Sequence, residues 1–178
     1  MKRRTLDAIL SATGGVIAVA LLVASGLAFW GQTFTNNSVR DQLKQQQIFF
    51  PEKGSAALAS SDIGPFLNKY AGQQLLNGTQ ARAYADHFIA VHLKEIGGGK
   101  TYAQISAASM ADPTNEALKT QVDLLFRGNT LRGLLMNAYA FSVFGQIAGI
   151  AAVTTLVLGV VMAILALLGY RHYRHTEA

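Results

Sequence analysis

Residues 130–170 read TLRGLLMNAYAFSVFGQIAGIAAVTTLVLGVVMAILALLGY. After Arg132 this run carries no charge and no proline, and it stops at Arg171. A second apolar run, Ala8 to Trp30, stands near the other end of the chain. As a helix rising 1.5 Å per residue it would extend about 35 Å, enough to cross a hydrocarbon core of about 30 Å. The apolar core of a signal peptide lasts only about 7–15 residues, so this longer run is expected to be a retained membrane span. It closes on Phe29-Trp30, aromatics of the kind that settle at a membrane–water boundary. The chain therefore reads as a protein with two transmembrane helices.

The second run is longer than a span needs. Ala138 to Tyr170 would cover about 50 Å as a helix. Anchoring its end at Tyr170-Arg171 and counting back about 22 residues puts the outer boundary near Gly149, with the span starting about residue 148. Asn137 to Gln146 are then expected outside the membrane, in one helix continuous with the span that supports an outer domain. Tyr139, Phe141 and Phe144 would lie at the boundary or within that domain.

Composition agrees with this reading. Of 178 residues, 51% are hydrophobic and only 14% charged, against about a quarter charged in soluble domains. The formal net charge of +5 is concentrated beside the apolar runs, in Lys2, Arg3, Arg4, Arg171 and Arg174. That placement is the positive-inside signal rather than a nucleic-acid footprint. It puts both termini in the cytoplasm and the intervening segment outside. The expected division is 1–30 for the N-terminal tail and first span and 31–136 for an extracytoplasmic domain. Residues 137–170 form the long second helix, and 171–178 a basic cytoplasmic tail. With no cysteine in the chain, disulfides, thiolate metal sites and cysteine nucleophiles are excluded.

The outer segment shows helical signals only. Phe34, Val39, Leu43 and Gln47 form a sparse stripe that lets the first span run on for some turns. Pro51 is expected to break it, leaving Ile48-Phe49-Phe50 in a loop tucked into a core. Ser60-Ser61-Asp62 offers caps for a helix from Pro65 to Leu75, closed by Asn77-Gly78. Thr79 is expected to cap a helix through Ile96, with Tyr84, Phe88 and Val91 on one face and Gly97-Gly98-Gly99 as its stop. Thr101 and Gln104 have capping-box spacing. Asp112-Pro113 reads as a cap followed by proline at the first helical position, ahead of Leu118, Val122 and Leu125. Gly128-Asn129 is expected to interrupt that helix before Thr130 begins the last one. No period-two pattern occurs. The predicted fold class is all-α: two transmembrane helices with an extracytoplasmic helical bundle inserted between them.

Residues that could carry chemistry are sparse. His87 and His92 are five apart, about 140° around a regular helix, and miss the four-residue spacing of zinc-binding helices. His92 and Glu95 would supply two ligands at most. No serine sits in a GxSxG elbow, and Asp112 with Glu116 suits the start of a helix dipole. Gly97-Gly98-Gly99-Lys100-Thr101 lacks the GxxxxGK[ST] frame of a phosphate loop. No catalytic, cofactor or metal residue is assigned, and the chain is expected to be no enzyme. The spans hold no acidic, basic or histidine residue apart from Asp7 at one edge, which argues against a pump or coupled transporter but not against a passive oligomeric pore.

Small residues are the clearer signal. Gly145 and Gly149 make a GxxxG pair, with Ala148, Ala152, Gly159 and Ala163 at similar spacings. Ser11, Gly15, Ala20, Ala24 and Ala28 do the same in the first run. Such residues let helix backbones approach closely in lipid. Arg127, Arg132 and Asn137 precede the second span and are the candidate contacts at the membrane junction.

The runs QQQIFFP, YAGQQLLNGTQARAYADHFIAVHL, TYAQIS and LFRGNTLRGLLMNAYAFSVFGQIA resemble a family of small actinobacterial membrane proteins with two spans and unknown function. The resemblance covers most of the chain and implies a bacterial cytoplasmic membrane. Members often carry the label aromatic ring-opening dioxygenase. Such chemistry uses two histidines and a carboxylate on iron, for which His87 and His92 are badly placed. The expected role is a non-enzymatic accessory or scaffold subunit of a cell-envelope complex, with the bilayer and other membrane proteins as partners. The alternative is a homo-oligomer enclosing a pore or lipid-binding cavity.

Overall fold

The computed structural model describes residues 3–175, with side chains from residue 5. Lys2 and the tail residues Thr176 to Ala178 lie outside the described residues, as do the side chains of Arg3 and Arg4. In order, the elements are α1 (Arg3–Gln46), α2 (Ala56–Ala59), α3 (Gly64–Leu67), a 3₁₀ turn (Asn68–Tyr70) and α4 (Gly78–Tyr84). A π turn (Ala85–Ile89), α5 (Ala90–Ile96), α6 (Tyr102–Ala111) and α7 (Glu116–His175) follow. Among the described residues there is no strand, only one isolated antiparallel bridge between Phe49 and Gln74. The all-α reading holds. The chain divides into two compact units: residues up to Thr35 together with those from Phe144 on, and Asn36–Val143.

The first unit is a pair of apolar helices. Both α1 and α7 are long and apolar enough to cross a membrane, and only 17% and 11% of their most apolar windows are buried. They run antiparallel. Gly14 faces Ala166, Leu22 faces Gly159, and Gly149 meets the Gln32 side chain. The Ser25 hydroxyl donates to the Ala152 carbonyl at 2.8 Å; bonds of this kind are worth about 0.6 kcal/mol where helices pack in lipid. Ser11, Ala18, Ser25 and Gln32 are seven apart on α1, and Gly145, Ala152, Gly159 and Ala166 seven apart on α7. A seven-residue period keeps one face on its partner along the whole seam. Ala18, Ser25, Gly149, Ala152 and Gly159 are buried along it, and Gly145 is buried as well. The hydroxyls of Thr33, Thr35, Thr154 and Thr155 donate to carbonyls four residues back, which satisfies them without water.

On α1 the seam differs from the expected face. Gly14, Ala18 and Ser25 pack, whereas Gly15 has open space around a built Cβ and Ala20 and Ala24 are exposed. Small residues occur nearly all round the start of α1, so their presence alone does not pick a face. The seam carries a direct prediction. A Cβ built on Gly14 lies 3.5 Å from the Ala166 Cβ, within the disulfide range of about 3.5–4.5 Å. Gly14→Cys with Ala166→Cys should oxidise to an intramolecular disulfide in membranes, seen as a gel shift reversed by reductant. Ala20→Cys with Ala166→Cys should stay reduced; the opposite pattern would refute the pairing.

The second unit has its own core, built from Val39, Leu43, Phe50, Leu58, Ile63, Leu67, Leu75, Ala81, Ala85, Ile89, Leu93, Ile105, Leu125 and Leu135. α1 ends where Gln47 takes a left-handed φ of 50°, four residues before Pro51. Phe50 is then buried and Phe49 is 57% exposed, so one ring, not the whole IFF triplet, enters the core. The expected helix over 65–75 is broken. Gly72 turns with φ 70°, and the chain after it pairs with the IFF segment through Phe50 N to Gln73 O and Leu75 N to Ile48 O, both 2.9 Å. Those bonds replace the helical ones that residues 71–75 give up.

Caps also move. Asn77, not Thr79, caps α4, its side chain accepting from Gln80 N at 2.9 Å. Asp112 closes α6, and Asn115 caps α7 by accepting from Leu118 N at 3.2 Å. The Thr101–Gln104 capping box and the Gly97 stop are present as read. α7 runs for 60 residues without a break at Gly128-Asn129. Gly128 is a contact point rather than a breaker: a Cβ there would strike the Leu93 side chain.

Candidate functional site

A polar cluster that links separate elements of the second unit gathers on the helix that carries the π turn. Ala90 N–H reaches Ala85 O there, an i→i+5 bond that inserts one extra residue into the turn. Tyr84 and Phe88 extend an aromatic ladder from the core: Phe50 to Tyr84 5.4 Å, Tyr84 to Phe88 4.7 Å, and Phe88 to His92 4.5 Å between centroids. His92 ends it. Its Nδ1 lies 2.7 Å from the Phe88 carbonyl oxygen, which can only accept, so that nitrogen carries the proton.

His87 points elsewhere, stacking on Phe66 at 3.7 Å with the rings 4° from parallel. The two histidines are thus held by different partners. Among the described residues no three His, Cys, Asp or Glu side chains gather as metal ligands.

Asp86 is the hub of the charged groups. Arg132 Nη2 donates to its Oδ1 at 2.9 Å, and Arg82 Nε lies 3.6 Å from Oδ2. Arg82 also donates through Nη1 to the Tyr139 hydroxyl at 2.8 Å, and its guanidinium lies 4.9 Å over the Tyr139 ring. These contacts tie α4 and the π turn to α7 within the unit. A cleft of about 290 Å³ opens beside them, between the α3 segment and α4. Phe66, Lys69 and Tyr70 form one wall, and Thr79, Arg82, Asp86 and His87 the other.

Of the candidate junction residues, only Arg132 joins this cluster. Arg127 pairs with Asp123 on its own helix at 3.0 Å, its side chain 75% exposed. Asn137 is exposed on a later turn of α7. The three do not converge on a common group. Gly149 lies in the α1–α7 seam against Gln32, and Gly145, one turn earlier on α7, is buried. Sequence reasoning missed Lys69, Arg82 and Asp86. The four-residue spacing of Arg82 and Asp86 on a helix was a usable signal, but nothing local joins Asp86 to Arg132, 46 residues away.

Burial pushes the Tyr84 hydroxyl above its ordinary 10.0. As pH rises, the unfolded chain loses that proton first, so the folded state is then the one that binds more protons. The contribution from neutral Tyr84 is complete below pH 10 and is lost as pH climbs toward the folded value. Denaturant titrations from pH 9 to 11 should show stability falling, and Tyr84→Phe should flatten the fall. An unchanged slope would contradict the burial.

Scans against protein-family models, curated proteins and solved structures find no match to this chain.

Proposed function

We propose that the protein is a non-enzymatic accessory or scaffold subunit of a cell-envelope complex in a bacterial cytoplasmic membrane. In this reading α1 and the apolar part of α7 span the bilayer, both termini are cytoplasmic, and the Asn36–Val143 unit is the extracytoplasmic bundle inserted between the spans. The charges at Lys2, Arg3, Arg4, Arg171 and Arg174 support that orientation. The resemblance to small actinobacterial two-span proteins supports the same setting.

The observation that carries the proposal is a groove of about 540 Å³ beside the α1–α7 seam. Its walls include Ala8, Ala12 and Gly15 on α1 and Ala163, Leu167 and Tyr170 on α7. Ala8, Ala12, Gly15, Val19 and Leu22 alternate steps of four and three, the spacing of a helix-packing seam. The groove shares Ser11, Ala18 and Ala166 with the seam already made, so a third helix would continue an existing interface. Small residues give a neighbouring backbone close approach. The occupant is a transmembrane helix of a different protein.

A photo-crosslinking residue at Ala12, in native membranes, tests this. A discrete adduct with one other membrane protein, lost in the Gly15→Leu variant, is the expected result. An adduct of twice the chain mass would replace the proposal with the homo-oligomer that encloses a pore or lipid cavity. Lipid adducts alone would overturn it.

A further inference from the structure

The cleft between the α3 segment and α4 is a cationic site that no part of the scaffold reading uses. Lys69 stands on one wall with its amine 4.8 Å over the Tyr70 ring, and Arg82 stands on the other. Arg82 is not a loose surface cation. Its Nη1 donates to the Tyr139 hydroxyl at 2.8 Å, and its Nε forms an ion pair with Asp86 at 3.6 Å, which together orient the half-exposed guanidinium. The one carboxylate present, Asp86, is already claimed by Arg132 at 2.9 Å. Among the lining residues Lys69 and Arg82 are cationic and Asp86 is the one carboxylate, a surplus of one positive charge, and Arg132 shares that carboxylate from outside the lining.

The remaining lining fits an anion with an organic substituent. Thr79 contributes a hydroxyl and the stacked Phe66–His87 pair a flat ring surface. A volume of about 290 Å³ lies near the lower end of ligand pockets, about 300–1,000 Å³, and exceeds what a bare anion fills. Two cations on opposite walls suit a tetrahedral group whose oxygens point in several directions, where a planar carboxylate would engage one fork.

We propose that this cleft binds a phosphate ester, with Lys69 and Arg82 on its oxygens and Phe66–His87 against the substituent. The source is either a soluble phosphate ester or the headgroup of an anionic phospholipid; the chemistry recognised is the same. The full chain, purified in a neutral detergent, is titrated with glycerol 3-phosphate. In a second arm it is placed in phosphatidylcholine nanodiscs with and without phosphatidylglycerol. The His87 imidazole resonance reports occupancy in both.

Saturable shifts in the first arm identify a soluble ligand, and shifts only with phosphatidylglycerol identify a headgroup; either supports the proposal. Lys69→Gln should weaken binding about tenfold, the loss of one charge-assisted hydrogen bond. Thr79→Ala should weaken it less, and Arg127→Ala, outside the cleft, should leave it unchanged. Circular dichroism checks that each variant stays folded. No shift in either arm overturns the proposal. So does an equal loss from Arg127→Ala, which would mark diffuse charge attraction instead of a site.

Discussion

Gly78→Val should destabilise the second unit by about 3 kcal/mol or more. The first residue of α4 packs directly on α7. A Cβ at Gly78 would strike the Ser142 side chain, and it would lie 3.1 Å from the Tyr139 Cα. Backbone on the far side of the contact cannot swing away as a side-chain tip can, so α4 must shift. Overpacking of this kind costs about 1–3 kcal/mol, and the shift also pulls Arg82 away from Tyr139. Gly133→Ala is the matched control, because its Cβ meets nothing within 4 Å. Alanine there should stabilise the helix by about 0.5–1 kcal/mol. Denaturant unfolding of both variants checks the pair, and equal effects would sink the close-contact account.

Phe50→Ala should cost about 3–5 kcal/mol, the usual loss for a buried aromatic. Phe50 is 2% exposed and its ring touches both Tyr70 at 5.1 Å and Tyr84 at 5.4 Å. It joins the segment after α1 to the aromatic ladder on α4 and the π turn. Its neighbour Phe49 is 57% exposed, so Phe49→Ala should change stability by less than about 1 kcal/mol. A reversed order of the two variants would mean that the IFF segment is placed the wrong way round.

That contrast shows what the sequence could and could not reveal. The apolar runs, the capping box at Thr101 and the glycine stop at Gly97 were legible because each is a local signal. Whether Phe49 or Phe50 enters the core was not, since it depends on the bond from Phe50 N to Gln73 O across the fold. Gly128 looked like a helix breaker, yet α7 passes through it, and the missing side chain makes room for Leu93. A glycine that ends a helix and one that admits a neighbour look the same in sequence. Small residues on α1 announced close packing but not the face, and Gly14, not Gly15, met the partner. The cationic cleft was illegible for a similar reason. Lys69 and Arg82 lie on separate elements, and the chain between them turns at Gly72 with φ 70°, where an unbroken helix was expected.

In the proposed topology the chain crosses the membrane twice, with the second unit between the crossings. The absence of native cysteine makes this directly measurable with single-cysteine variants and a membrane-impermeant maleimide on protoplasts. Asp62→Cys and Lys100→Cys should label without permeabilisation, and His175→Cys only after it. Labelling of His175→Cys in sealed protoplasts, or protection of Asp62→Cys and Lys100→Cys, would contradict the topology.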